Sequence, residues 1–175
     1  MLCTSAPLVF LGQSIPKHEG SFSNSITFLS SFRAFALLDF KGGNVRVNGS
    51  DRFRCVVQNR CRERWYPTEF DAKRIACVNA GTDVLPDCYV NKADFSKLRE
   101  VSLSYTLPPS VSHMGRVNRA VVTLAGRNLH TWTDYPGIDP EASFLGGSRG
   151  GNFSVFDQLL TPTPRQWVLG LNLDW

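Results

Sequence analysis

The last eleven residues, RQWVLGLNLDW, constrain the fold more than any other stretch of this chain. Trp167, Leu169, Leu171, Leu173 and Trp175 fall on one face of an extended strand, and Val168, Gly170, Asn172 and Asp174 fall on the other. Strict period-two alternation is a β signal, because successive side chains of a strand point to opposite faces. The segment matches the about 9–11 residues of a tilted strand crossing a bilayer, and it also fits the closing strand of a soluble sandwich.

Four further segments read as strands in the same way. Phe22, Ile26 and Phe28 form one face of a strand over about residues 20–29, and a tight turn follows. In the next strand, about 32–42, Phe32, Ala34, Ala36, Leu38 and Phe40 oppose Arg33, Phe35, Leu37 and Asp39. Over about 96–107, Val101, Leu103, Tyr105 and Leu107 oppose Glu100, Ser102, Ser104 and Thr106, and Pro108-Pro109 ends the run. A strand over about 119–132 carries Val122 and Leu124 opposite Val121, Thr123 and Ala125, with Asn128 where the alternation slips. The connections alternate short and long, the long ones being about 43–94 and 134–164. A short helix over about Glu69 to Val78, capped by Thr68, is expected inside the first.

Five cysteines bear on the compartment. Cys3 stands apart, while Cys55, Cys61, Cys77 and Cys88 share one polar region and are candidates for disulfides, with three pairings open. Zinc is the rival reading, but no C-x2-C pair occurs and His18, His113 and His130 are scattered; no metal site is expected. Residues 1–10 lack the basic start and long apolar run of an export signal. The net charge of +4 includes a cluster at Arg52, Arg54, Arg60, Arg62 and Arg64, too brief to argue for nucleic acid. No nucleophile elbow, His-Glu metal motif or phosphate loop is present. Gly146-Gly147 and Gly150-Gly151 lack the Lys and helix of a phosphate site, so neither an enzyme nor a cofactor is expected.

Several fragments carry a family resemblance. DFSKLREVSLSYTLPPS (Asp94 to Ser110) resembles F-x-R-L-R-x-x-x-L-x-Y-x-L-P, and LAGRNLHTWTDYPGIDPE (Leu124 to Glu141) resembles x-G-x-N-L-x-x-W-T-x-Y-x-G-x-D-P-E. PTPRQWVLGLNLDW (Pro162 to Trp175) resembles P-x-x-R-x-x-x-L-G-L-N-x-x-F, with GQSIPKHEGSFSNSITF and ALLDFKGG as a preceding hairpin. In this order they resemble the C-terminal part of starch-utilisation-type (SusC/RagA-like) TonB-dependent outer-membrane receptors.

The resemblance implies an all-β fold: five antiparallel transmembrane strands from the end of a roughly 22-stranded outer-membrane β-barrel, with two long extracellular loops. It implies import of oligosaccharides, peptides or similar nutrients. The implied partners are the remainder of barrel and plug, the TonB complex, a surface lipoprotein lid, the barrel-assembly machinery and the lipid bilayer. Five strands fall short of the about eight that close a membrane barrel, so residues 1–175 are expected as a fragment of the receptor. A secreted β-sandwich binding module and a non-functional truncated fragment are the alternatives.

The site residues expected on this reading fall into three groups. Trp132, Asp134, Tyr135, Asp139 and Glu141 contact ligand or shape their loop; the acidic residues are also calcium candidates. Arg33, Asp39 and Glu100 face a lumen. Trp167, Leu169, Leu171, Leu173 and Trp175 form the terminal strand for barrel insertion.

Overall fold

A computed structural model describes residues 9–81, 87–141, 156–157 and 161–175. Cys3, the leader stretch and the glycine pairs at 146–147 and 150–151 lie outside them, as does most of the expected second long loop. The chain divides into two compact units, one of Met1–His18, Gly42–Asp94 and Thr133–Pro162, the other of Glu19–Lys41, Phe95–Trp132 and Thr163–Trp175.

In the second unit, β1 (His18–Phe28), β2 (Phe32–Gly42), β5 (Phe95–Thr106), β6 (Arg119–Thr133) and β7 (Gln166–Asp174) form one sheet in the order β1-β2-β5-β6-β7. Leu29 and Ser30, at φ 49 and 59, turn β1 into β2. Two successive positive φ values give a turn whose twist matches that of the flanking strands. β2 pairs antiparallel with β5 from Phe32↔Tyr105 to Lys41↔Phe95, with a slip where Leu37 faces Glu100 and Leu38 faces Leu98. Arg99 is the extra residue of that bulge. β6 pairs antiparallel with β7 from Arg119↔Asp174 to Arg127↔Gln166.

The register sorts the side chains by face. Val122 and Leu124 sit opposite Leu171 and Leu169. Phe32 stacks on both Phe28 and Tyr105, with ring centroids 5.5 and 4.6 Å apart. This apolar face is uncovered: Trp167, Leu169 and Leu171 are 69%, 75% and 62% exposed. The opposite face carries Ser104 hydrogen-bonded to Thr123 at 2.8 Å. A sandwich would bury the apolar face under a second sheet, and its exposure argues against that alternative.

The first unit is where the all-β expectation fails. The segment after β2, expected as a long extracellular loop, is folded and substantially helical. It contains β3 (Val45–Val47), α1 (Gly49–Arg52), a π-turn (Phe53–Val57), α2 (Arg62–Trp65), a 3-10 turn (Pro67–Glu69), α3 (Ala72–Asn79), a second 3-10 turn (Asp87–Tyr89) and β4 (Val90–Lys92). β3 and β4 form their own antiparallel pair, Val47 facing Val90. A further helix, α4 (Pro109–Met114), occupies what was expected as a turn between β5 and β6.

The fold is therefore mixed α/β, and the expectation of an all-β transmembrane barrel segment is corrected on two counts. Helices occupy the cysteine-rich segment because it has a core of its own, Val47, Cys77 and Tyr89 joined through Val56 to Cys55, Cys61 and Val78. The five-stranded sheet is open, with β1 and β7 as its edges, and no barrel closes among the described residues. No described helix is long and apolar enough to cross a membrane.

Candidate functional site

A cleft of about 660 Å³ opens in the first unit, between the helical segment and the loop that follows β6. Asn48, Ser50, Asp51, Arg54, Glu63, Arg74 and Asn91 line it from one side, Pro136, Gly137 and Ile138 from the other. Its geometry starts with two helix caps. Asn48 accepts from the Asp51 N–H at 2.9 Å at the start of α1. Asp71 accepts from the Arg74 N–H at 2.8 Å at the start of α3, and Asp71, not Thr68, is the cap. Thr68 is held in the 3-10 turn that Pro67 begins, and extended Phe70 separates that turn from the helix.

The two caps place Arg74 against both carboxylates. Arg74 Nη2 lies 2.6 Å from Asp51 Oδ2, and its Nε donates to Glu63 Oε1 at 2.8 Å. Arg54 Nη2 donates to Asp51 Oδ1 at 2.7 Å. The guanidinium of Arg74 also lies over the buried Tyr89 ring, 5.3 Å from its centroid.

Electrostatics follow from these contacts. Burial works to raise Asp51, but hydrogen bonds from Arg74 and Arg54 outweigh it and hold the carboxyl below its usual value. Glu63 is held low in the same sense, against burial, by its own backbone and by Arg74. Burial pushes the Tyr89 phenol up to about 12, and the neighbouring Cys55 adds to the effect. The cleft thus presents fixed charges of both signs, a surface suited to hydrogen-bonding a polar ligand.

The loop on the other wall contains most of the expected ligand residues. Tyr135 and Asp139 are buried and shape the loop from within. The Tyr135 N–H donates to Thr133 Oγ1 at 3.1 Å, and that hydroxyl donates to the Asp94 carbonyl at 2.7 Å. Asp139 Oδ1 accepts from the Glu141 N–H at 2.9 Å, an Asx turn. Burial, and then the Asp157 carboxylate, raise the Tyr135 phenol well above its ordinary value. The loop residue that sequence reasoning missed is Ile138, which is 53% exposed at the cleft. Asp134 is exposed. Trp132, half exposed in β6, packs at a tilt on His130 with centroids 4.6 Å apart.

The remaining candidates distribute as follows. On the polar face of the sheet, Arg33 Nε donates to Ser25 Oγ at 2.8 Å. Asp39 accepts from Arg99 Nε at 2.7 Å and Glu100 from Arg127 Nε at 3.0 Å. Trp167, Leu169, Leu171, Leu173 and Trp175 stand on or just beyond β7, exposed along its apolar face. Cys77 and Cys88 form a disulfide across eleven positions, with Cα atoms 6.4 Å apart. Cys55 and Cys61 are buried thiols.

Sequence reasoning also missed Asp51, Glu63 and Arg74. Their positions in the sequence are far apart, and only the helical packing brings them together.

The chain is similar to TonB-dependent receptors of Formosa agariphila. It is 29% identical to receptor P26 over 174 residues, 94% of this chain, and 26% identical to receptor P39 over 179 residues. It spans 18% and 17% of the lengths of these two curated relatives. No family model matches the chain. Its fold is similar to part of the RagAB peptide importer in the open-open state, with a TM-score of 0.67 and 23% identity, covering 93% of this chain and 18% of that one. The closed-closed state of the same importer gives a TM-score of 0.65. These relatives are TonB-dependent receptors and a peptide importer, and the chain is similar to a part of each.

Proposed function

We propose that this chain is the C-terminal portion of a TonB-dependent nutrient importer associated with the outer membrane. The observation that carries the reading is the 174-residue alignment to a TonB-dependent receptor, which runs through 94% of the chain. Most of such a receptor would lie outside the 175 residues. The edges at β1 and β7 would pair with strands of that remainder, removing two rows of unpaired backbone groups. The TonB complex, a surface lipoprotein lid and the assembly machinery would act on the complete receptor.

Within this chain the cleft is the proposed contact for an oligosaccharide, peptide or similar polar nutrient. Arg54 and Asn91 supply donors, and Ile138 supplies the apolar contact that sugars and peptide side chains use. Tyr135, Asp139 and Glu141 hold the loop, while Asp134 and Trp132 are exposed for contact.

Fractionation of the producing cells, with an antibody against the C-terminus, tests the reading. The expected signal is a band of about 100 kDa or more in the outer-membrane fraction, by scaling from a chain of 19.5 kDa that spans 18% of its relative. A soluble, folded band at 19.5 kDa would overturn it.

A further inference from the structure

The two buried thiols of the first unit are a pair in geometry. Cys55 closes its environment in the π-turn Phe53–Val57, and Cys61 immediately precedes α2. Between them Asn59 takes φ 55 and returns the chain. The Arg60 N–H then donates to the Arg54 carbonyl at 2.9 Å, so the residues directly before each cysteine are hydrogen-bonded to one another. Cys55 is 0% and Cys61 2% exposed, and their Sγ atoms lie within 4.8 Å of each other and of a Glu63 oxygen.

We propose that Cys55 and Cys61 are joined by a second disulfide in the mature protein, clamping the π-turn to the start of α2. Cys77–Cys88 is already bridged in the same unit, and the two cysteine clusters share Val56 as a common packing partner. A bond at 55–61 and the bond at 77–88 therefore lie in one compact unit and under one redox condition.

The surroundings disfavour the other fate of two adjacent thiols, a metal ion. Among the described residues Cys55, Cys61 and Glu63 group their ligand atoms within 4.8 Å, and Arg74 already supplies the positive charge beside them and beside Asp51, whose Oδ1 lies 3.7 Å from Cys55 Sγ. Arg74 Nη2 stands 3.8 Å from Cys55 Sγ while pairing Glu63 and Asp51. Burial, followed by Cys61 and the Asp51 carboxylate, also raises the Cys55 thiol far above its ordinary value. Since a thiolate is both the metal ligand and the nucleophile of exchange, closure belongs to the stage before these side chains are buried.

The chemistry balances with a dithiol–disulfide oxidant. One cysteine thiolate attacks the oxidant's disulfide, forming a mixed disulfide and releasing one oxidant thiolate. The second cysteine thiolate attacks the protein sulfur of that mixed disulfide, forming the Cys55–Cys61 bond and releasing the other oxidant thiolate. The two cysteine protons end on the two oxidant thiols, and two electrons pass to the oxidant.

Trypsin reads the pairing directly, because it cuts after Arg54, Arg60 and Arg62. The protein is taken from the envelope of the producing cells, alkylated in denaturant without reductant, and digested. The expected product is Cys55–Arg60 held to the piece beginning at Cys61, about 2 Da lighter than the two thiol peptides together and separated by reductant. Ile75–Lys92 contains both Cys77 and Cys88 and reports their bond as an internal link. Recovery of Cys55–Arg60 alone with an alkylated thiol overturns the proposal. So does Cys55 joined to Ile75–Lys92, or thiols that become alkylated only after a chelator removes a metal. A Cys55→Ser, Cys61→Ser double variant should lose the linked product and keep the Ile75–Lys92 link.

Discussion

Arg74 in α3 stands 2.6 Å from Asp51 in α1, across 23 positions of sequence. The same guanidinium reaches Glu63 in α2, so one cation ties together three helices of which two are only four residues long. Helices that short have no stability of their own, because nucleation costs more than one turn of hydrogen bonds returns. Arg74 and the small core behind it supply what the helices lack.

Replacing Arg74 with Met keeps the bulk of the side chain and leaves Asp51 and Glu63 facing each other without a cation. The expected loss is about 3 kcal/mol, the cost of removing one partner from a largely buried ion pair. Hydrogen exchange over residues 49–79 is the suitable readout, since the loss should be confined to the first unit. Unchanged protection there would show that the network does not hold the helices.

Acid should open the same unit. Asp51 and Glu63 have folded values below their ordinary 3.8 and 4.5. An unfolded chain then takes up protons before the folded one as pH falls, so their stabilisation is present above the ordinary values and is lost as pH drops through the folded ones. Exchange protection of α1 and α3 should hold at neutral pH and fall away below about pH 4. An Asp51→Asn variant should show a shallower acid dependence. If the variant and the parent respond to acid alike, Asp51 is not the group that titrates.

How much of this was readable in the residue order follows from which contacts are local. β7 has one apolar and one polar face, so its alternation survives in the sequence as Trp167, Leu169 and Leu171. The bulge at Arg99 leaves a trace too: Leu98 has the opposite parity to Val101 and Leu103, which marks an extra residue in the strand. In the first unit α3 left a trace, as the helix expected over about Glu69 to Val78, and the two shorter helices left none. Four-residue helices are too short to show a 3.6-residue period, and their core mixes cysteines and a tyrosine with valines scattered at Val47, Val56 and Val78. The Asp51–Glu63–Arg74 cluster arises only after that packing, and a run of arginines in a polar segment looks the same whether it is solvated or folded.

Gly137 should tolerate no side chain. A Cβ there would run into the Asp157 carboxylate and the Tyr135 ring, and both of those residues are buried. Gly137→Ala is expected to cost about 1–3 kcal/mol, the usual range for overpacking, and to expose Tyr135 to nitration. Ile138→Ala, one position on at the open side of the cleft, should change stability by less than about 0.5 kcal/mol. Equal effects at the two positions would contradict the packing described for this loop.

Asn128 interrupts β6 with φ 53, and its amide donates to the Pro164 carbonyl at 3.3 Å. The left-handed conformation costs an ordinary L-residue about 1–2 kcal/mol, and a β-branched side chain suffers most. Glycine escapes that cost and loses only the amide contact, which is long and exposed and contributes little. The expected order of stability is therefore Asn128 and Asn128→Gly together, Asn128→Ala lower, and Asn128→Val lowest. Tryptophan fluorescence during denaturation gives the midpoints, since Trp167 lies on β7, which pairs with β6 just before the kink at Arg127↔Gln166. A valine variant as stable as the parent would mean that β6 relaxes to regular extended backbone at this position, and the kink would then be incidental to the pairing of the two strands.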